Sequence, residues 1–335
     1  MYDIDLNRYT EVVDSAIALR PQIEKAVDEI CAQGYSNLFF IGCGGTYAHS
    51  LPMMYCISCV TTPTAVIAAE FMVMGHKAFS KDSVCIFSTR SGNTKEIVAA
   101  AKFCKEAGAR TMVYVSNDNT PVCEYADYKF YSPAEDPDLC EAIYSYTICL
   151  LGRFMKNAGA FDKYDEFMAQ YAGLTKYLIA GKEKFDPFCQ ELAKKFKNVD
   201  YHMVIGGGML WGEAYDYAMC ILEEMQWIRT KSIHVCEYFH GTLELVEKDT
   251  SLILFYGEDE TRPLMDRVLK FSKTVSDEIT IFDTKEVELP FTDPEFRKIV
   301  SPIVIYAITE RLSAHLAKER NHPLTTRRYY RQMEY

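Results

Sequence analysis

Residues 37–45 read NLFFIGCGG, and residues 202–209 read HMVIGGGM. Each is a short apolar run of strand character that breaks at a cluster of glycines, and the two match with Ile41 on Ile205. Further along, KDSVCIFSTRSGNT (81–94) answers KDTSLILFYGEDET (248–261), now at an offset of 167. Asp82 falls on Asp249, Arg90 on Gly257, and Glu70 on Glu237 at that same offset. The earlier glycine loops pair at an offset of 164, so a three-residue indel ahead of position 224 is required. A chain that repeats its strand-and-glycine pattern once holds two copies of one fold.

Within each copy, strand-like runs alternate with helical ones. The first copy offers NLFFIG (37–42), TAVIAA (64–69), SVCIFS (83–88), TMVYVS (111–116) and YKFYS (128–132), with helical stretches at 94–107 and 138–158. The second offers HMVIGG (202–207), SIHVCE (232–237), SLILFYG (251–257) and EITIFD (278–283). Alternating strand and helix implies parallel sheets flanked by helices, here two tandem doubly wound, flavodoxin-like α/β domains. The expected division is a helical segment at 1–34, a first domain at 35–159, a helical linker at 160–198, a second domain at 199–320 and a tail at 321–335. A length of 335 residues suits two domains of roughly 150.

Composition narrows the function. The chain is 49% hydrophobic and 25% charged, the balance of a soluble globular protein. A net charge of −11 argues against nucleic-acid and anionic-membrane partners, which call for a basic surface. The first residues, MYDIDLNRYTEVVDS, lack the apolar core of a signal peptide, and no apolar stretch approaches the roughly 20 residues of a membrane span. A cytoplasmic location is the expectation. Most of the twelve cysteines, Cys85, Cys149 and Cys220 among them, sit in apolar runs as small core residues. The one CxxC, Cys56 to Cys59, has no second pair at zinc spacing, so no metal site is expected.

Any anion bound by so acidic a chain needs a local site. After the strand at 83–88, TRSGNT opens a helix, and its hydroxyls and backbone N–H groups are what a phosphate site uses. The same loop also serves as a plain strand-to-helix turn with a Thr or Asn cap. The second copy decides for phosphate, because Glu258, Asp259 and Glu260 stand there and would repel one. One phosphate site per chain is expected, in the first half. The loop GCGGTY (42–47) reads GxGG, not GxGxxG, and lacks a ribose-binding acid at the usual spacing. It is read as close backbone approach of Gly44 and Gly45 to a sugar, with Thr46 donating to the phosphate.

The loop EYFHGTLE (237–244) carries polar groups where the first copy is apolar: His240 falls on Val73, and Glu224, upstream, on Ile57. Taken singly, a loop histidine is more often a surface or capping group and a helical glutamate a solvated one. Together, GCGGTYAHS, STRSGNT, EEMQWIRTKSIHVCEYFHGTLE and the tail HPLTTRRYYRQMEY resemble the sugar isomerase (SIS) family over essentially the whole chain. Within it they are most similar to the phosphorylated Amadori-product deglycases, typified by fructoselysine-6-phosphate deglycase.

The resemblance implies that Thr46, Thr89, Arg90, Ser91 and Thr94 hold a sugar phosphate, that Glu224 shuttles a proton, and that His240 works on the sugar ring, supplied across a homodimer interface. It also extends to the isomerase half of glucosamine-6-phosphate synthase, with two departures. The chain begins MYDIDLN with no glutaminase domain, and Arg327 and Arg328 stand near the end where the synthase uses a lysine. Arginine stays protonated and forms no Schiff base, so a substrate that already carries its nitrogen is favoured, with Arg327 among its contacts. Glu237 suits either a strand-end salt bridge or the ammonium of an amino acid, and Glu244 is read as a helix or turn residue. Met225, Trp227 and Ile228 are expected to bury Glu224 in part. No cofactor is implied. An aldose–ketose phosphosugar isomerase and a non-catalytic phosphosugar sensor are the alternatives.

Overall fold

The computed structural model describes residues 1–57, 63–134, 139–330 and 332–334. Cys59 of the CxxC, Asp138 at the head of the 138–158 stretch, and Arg331 and Tyr335 of the tail lie outside the described residues. Two compact units divide the chain: Asp5–Thr175, and Lys176–Tyr335 together with Met1–Ile4. No helix among the described residues is long and apolar enough to cross a membrane.

In the first unit, strands β1 (Leu38–Gly42), β2 (Pro63–Ile67), β3 (Val84–Thr89), β4 (Arg110–Val115) and β5 (Tyr128–Tyr131) form one parallel sheet ordered β2-β1-β3-β4-β5. β1 and β3 are buried along their whole length, as a sheet covered on both faces requires. Helices α1 (Leu6–Ile17), α2 (Arg20–Gln33), α3 (Gly45–Ile57), α4 (Ala68–Met74), α5 (Lys95–Glu106), α6 (Leu139–Asn157) and α7 (Tyr164–Tyr171) complete it. Phe39, Phe87, Val113 and Ile97 centre its core. Helices α1 and α2 pack on α6, so the N-terminal segment belongs to this unit from Asp5 onward.

Helix α8 (Leu174–Phe196) leads into the second sheet, built from β6 (Tyr201–Gly206), β7 (Arg229–His234), β8 (Ser251–Tyr256) and β9 (Ile279–Asp283) in the order β7-β6-β8-β9. α9 (Trp211–Asp216), α10 (Arg262–Ser272) and α11 (Pro294–Glu319) accompany it. Its core gathers Ile205, Tyr238, Leu254 and Val268.

Three strands of each sheet, β2-β1-β3 and β7-β6-β8, repeat one another in register. Gly42 pairs with Ile67 in the first and Gly206 with His234 in the second; Phe40 pairs with Ile86 and Val204 with Ile253. These registers carry the same offsets, 164 for β1 and 167 for β2 and β3, that the sequence repeat carries. The three extra residues of the second copy fall between β6 and β7. That span holds α9 and a π-helix, Tyr217–Glu223, whose wider turn takes up additional residues.

Two expected strand limits are corrected. TAVIAA stops being strand at Ile67, where α4 begins, and SIHVCE stops at His234, where a 3-10 turn, Val235–Glu237, takes over. The His234 ring accounts for the second: its Nδ1 accepts the Cys236 N–H at 3.3 Å and starts the turn. Cys85 and Cys149 are buried as expected, whereas Cys220, on the π-helix, is only half-buried.

Candidate active site

Strands β1 and β3 are neighbours across which the connections leave in opposite directions, the point where open α/β sheets bind ligands at their carboxyl ends. Gly44 turns with a positive φ of 54° and Gly45 begins α3. A Cβ on Gly42 would lie 2.6 Å from the Tyr47 amide nitrogen, so only glycine lets the first turn of α3 approach the strand end. The Thr46 hydroxyl donates to the Cys43 carbonyl at 3.0 Å and accepts the Cys43 N–H at 3.2 Å, which fixes the loop. At the end of β3, Thr89 is buried and its Oγ1 accepts the Gly92 N–H at 3.3 Å. Arg90 is exposed, Ser91 half-buried, and Thr94 is the N-cap of α5. The first-turn N–H groups of two helices thus stand at adjacent strand ends beside the hydroxyls of Thr89, Ser91 and Thr94, a ready anion cradle.

The second unit carries a cleft of about 630 Å³ lined by Glu223, Glu224, Trp227, Arg229, Arg327 and Tyr330, among others. Glu224 caps the π-helix, and its Oε1 lies 3.0 Å from Nε of Arg327. The neighbouring Glu223 is engaged differently, accepting the Thr230 hydroxyl at 2.6 Å. The tail is docked at several points. Gln226, fully buried, donates to the His322 carbonyl at 2.8 Å, the His322 ring meets Trp227 edge-on at 4.4 Å, and the Arg328 guanidinium lies 4.0 Å over the Trp227 ring. Trp227 holds a φ of 56°, a strained conformation for a bulky residue, and this bend carries the chain from the π-helix to β7. Burial, with the Arg320 and Arg328 charges, lowers the His322 pKa, so this ring meets Trp227 as a neutral group at neutral pH. Glu224 is only partly covered: its side chain is 38% exposed and Trp227 39%, because both line the open cleft, while Ile228 is buried.

His240 and Glu237 are exposed on the turn that follows β7, and His240 is not among the residues lining the Glu224 cleft. The His240 N–H bonds the Glu237 carbonyl at 3.0 Å, and Gly241 at a φ of 129° ends the turn. Glu244 sits in a 3-10 turn, Thr242–Leu245. His234, which the sequence did not mark, packs its ring on Trp211 at 5.2 Å; burial lowers its pKa, and Glu237 opposes the shift. Asp259 is a second residue the sequence misplaced. Only 8% exposed, it accepts the N–H groups of Met209 and Thr261 instead of facing outward as Glu260 does.

Comparisons with known proteins bear on the fold and the family. The SIS domain family model matches residues 34–151, the first sheet with most of α6. The fructosamine deglycase of Bacillus subtilis is 30% identical over 94% of this chain and 97% of its own length. The fructoselysine 6-phosphate deglycase of Escherichia coli K12 is 20% identical over 92% of this chain and 90% of its own. A solved structure from Bacillus subtilis, of a proposed phosphosugar isomerase, superposes with a TM-score of 0.90 at 27% identity, covering 96% of this chain and 99% of that one. With a relative this similar along nearly its whole length, the chain belongs to the SIS domain family, in the group that holds the fructosamine deglycase.

Proposed function

We propose that the chain is a cytoplasmic deglycase that hydrolyses a 6-phosphorylated sugar–amino acid adduct, such as fructoselysine 6-phosphate, to hexose 6-phosphate and the free amino acid. The observation that carries the reading is a glutamate, Glu224, lining a sizeable cleft and held by an arginine of the tail, in a chain similar over 94% of its length to a fructosamine deglycase. The phosphate goes to the cradle of Gly44, Gly45, Thr46, Thr89, Arg90, Ser91 and Thr94. His240, which stands exposed and does not line its own protomer's Glu224 cleft, serves the partner's site in a homodimer and assists ring opening.

In a fructosamine the nitrogen is on C1 and the carbonyl on C2. Glu224 removes a proton from C1 as the C2 oxygen gains one, giving the enaminol, and returns the proton to C2. The C1–N bond is then an imine. Water adds to C1, the C–N bond breaks, and the amine leaves with a proton. For a nitrogen on C2 the same transfers run in reverse and release the keto sugar. The C2 carbonyl takes up the electrons of the C1–H bond, and the protonated imine nitrogen takes those of the C1=N bond when water adds, so the sequence of steps calls for no redox cofactor. Arg327 holds the Glu224 carboxylate in place, and with Glu237 it is available to the amino acid's charged groups.

Release of amino acid from synthetic fructoselysine 6-phosphate and glucoselysine 6-phosphate tests this directly. One adduct is expected to be turned over by the wild type, with kcat lower by about 10²–10⁴-fold in Glu224→Gln and His240→Ala. Turnover of neither, with free fructose 6-phosphate isomerised instead, would replace the deglycase by an isomerase. Mixing inactive Glu224→Gln with inactive His240→Ala protomers should regain activity if the histidine crosses to the partner.

A further inference from the structure

The second copy holds an anion of its own where the first has an open cradle. Gly44 and Gly208 are equivalent and turn alike, at φ 54° and 51°. Thr94 and Thr261 are equivalent and are the N-caps of α5 and α10. Between them the repeat places Gly92 in the first copy and Asp259 in the second. The Asp259 carboxylate accepts the Met209 N–H at 2.9 Å through Oδ2, and the Thr261 N–H at 2.7 Å and hydroxyl at 2.6 Å through Oδ1. It is packed against backbone: a Cβ on Gly208 would come within 2.6 Å of Oδ1 and one on Gly257 within 3.2 Å of Oδ2.

The first copy is arranged so that nothing of this kind can grow there. A Cβ at Gly92 would fall 1.9 Å from the Thr120 Oγ1, and Gly92 has a positive φ of 60°. Among the described residues no protein acceptor meets the Thr94 N–H, the counterpart of the Thr261 N–H that Asp259 takes.

We infer that Asp259 is a resident substitute for phosphate, and that the second cradle is an anion site of the same design as the first, sealed from within. Its ligand class is inorganic phosphate or a phosphate monoester, the group that backbone N–H donors from two loops and a capping hydroxyl suit. Its two acidic neighbours are not what closes it. Glu258 is forked by Arg297 at 2.7 and 2.8 Å, and Glu260 pairs with Lys298 at 2.8 Å, so Asp259 alone occupies the seat. A tethered carboxylate outcompetes any dissolved anion for the same donors, which leaves one phosphosugar per chain. This holds whatever reaction the chain performs.

The test opens the second cradle in a chain whose first cradle is disabled by Thr89→Val and Ser91→Ala. Equilibrium dialysis against radiolabelled inorganic phosphate should find no phosphate on that parent and one per chain once Asp259→Gly is added. The glycine variant should melt below the parent in chloride and recover as phosphate replaces chloride at constant ionic strength. If it unfolds outright in chloride, phosphate should refold it. Asp259→Asn, whose amide still fills the seat, should respond to phosphate no more than the parent does. A glycine variant that neither binds nor is rescued, or an asparagine variant that responds equally, overturns the inference.

Discussion

Positions 92 and 259 are one place in the repeat with opposite demands, and they show what a single side chain decides. At 92 any Cβ collides with Thr120 and meets a left-handed backbone. Gly92→Ala is therefore expected to cost about 3 kcal/mol, combining a left-handed residue with an overpacked contact. Adding Thr120→Ala should return the packing part and leave the backbone part, which urea unfolding of the single and double variants resolves. If Gly92→Ala unfolds at the wild-type midpoint, the close approach is not real. Sequence alone could pick out the contrast at this position, because EDET replaces SGNT in plain view. It gave the wrong physical cause. Three acids read as repulsion, yet two are paired with Arg297 and Lys298, and the third accepts an N–H from Met209, 50 residues earlier in the chain. A hydrogen bond between distant loops leaves no local pattern to read.

Strands were legible because short β-branched and aromatic runs have few other uses, and the repeat checked β1 and β3 against β6 and β8. Less visible were the elements that bend. The 3-10 turn after β7 begins on a ring nitrogen, and the π-helix before Glu224 contains nothing that distinguishes it from an α-helix in the sequence. The tail's docking onto Trp227 was equally hidden, since its partners lie about a hundred residues apart. Removing residues 324–335 keeps the Gln226–His322 bond and takes away Arg327 and Arg328. With only two tryptophans in the chain, the emission should shift to the red as the Trp227 ring loses its guanidinium cover, while the far-ultraviolet circular dichroism stays unchanged. An unshifted spectrum would mean that the tail does not rest on Trp227 in solution. Activity should fall in kcat, because Glu224 loses the partner that holds it.

At the scale of the whole molecule, stability depends on groups buried far from any chemistry. The first four residues fold with the second unit, where Arg311, fully buried, donates to the Tyr2 carbonyl and to Asp186 and Glu310. His202 is the clearest pH-sensitive member of this unit. It sits in β6 with no exposed surface, its Nδ1 2.8 Å from the Ser251 Oγ and its ring 4.4 Å from that of Phe196. Burial, aided by the nearby Arg320 charge, pushes its pKa down from 6.5 to about 4. Between those values the unfolded chain binds a proton that the folded chain refuses. The stabilisation is complete above pH 6.5 and is lost as pH falls toward 4, by roughly 3 kcal/mol across the window. His234 and His322, also held down, add to the slope in the same sense. Carboxylates such as Asp28, lowered by its hydrogen bond to Arg153, act at more acid pH. Urea unfolding from pH 7 to pH 4 should therefore show stability falling steeply in the wild type and much less in His202→Gln, whose amide cannot titrate. Although less stable at pH 7 for want of the imidazole's fit, the variant should close the gap as the medium is acidified, and parallel curves would exclude His202 as the source.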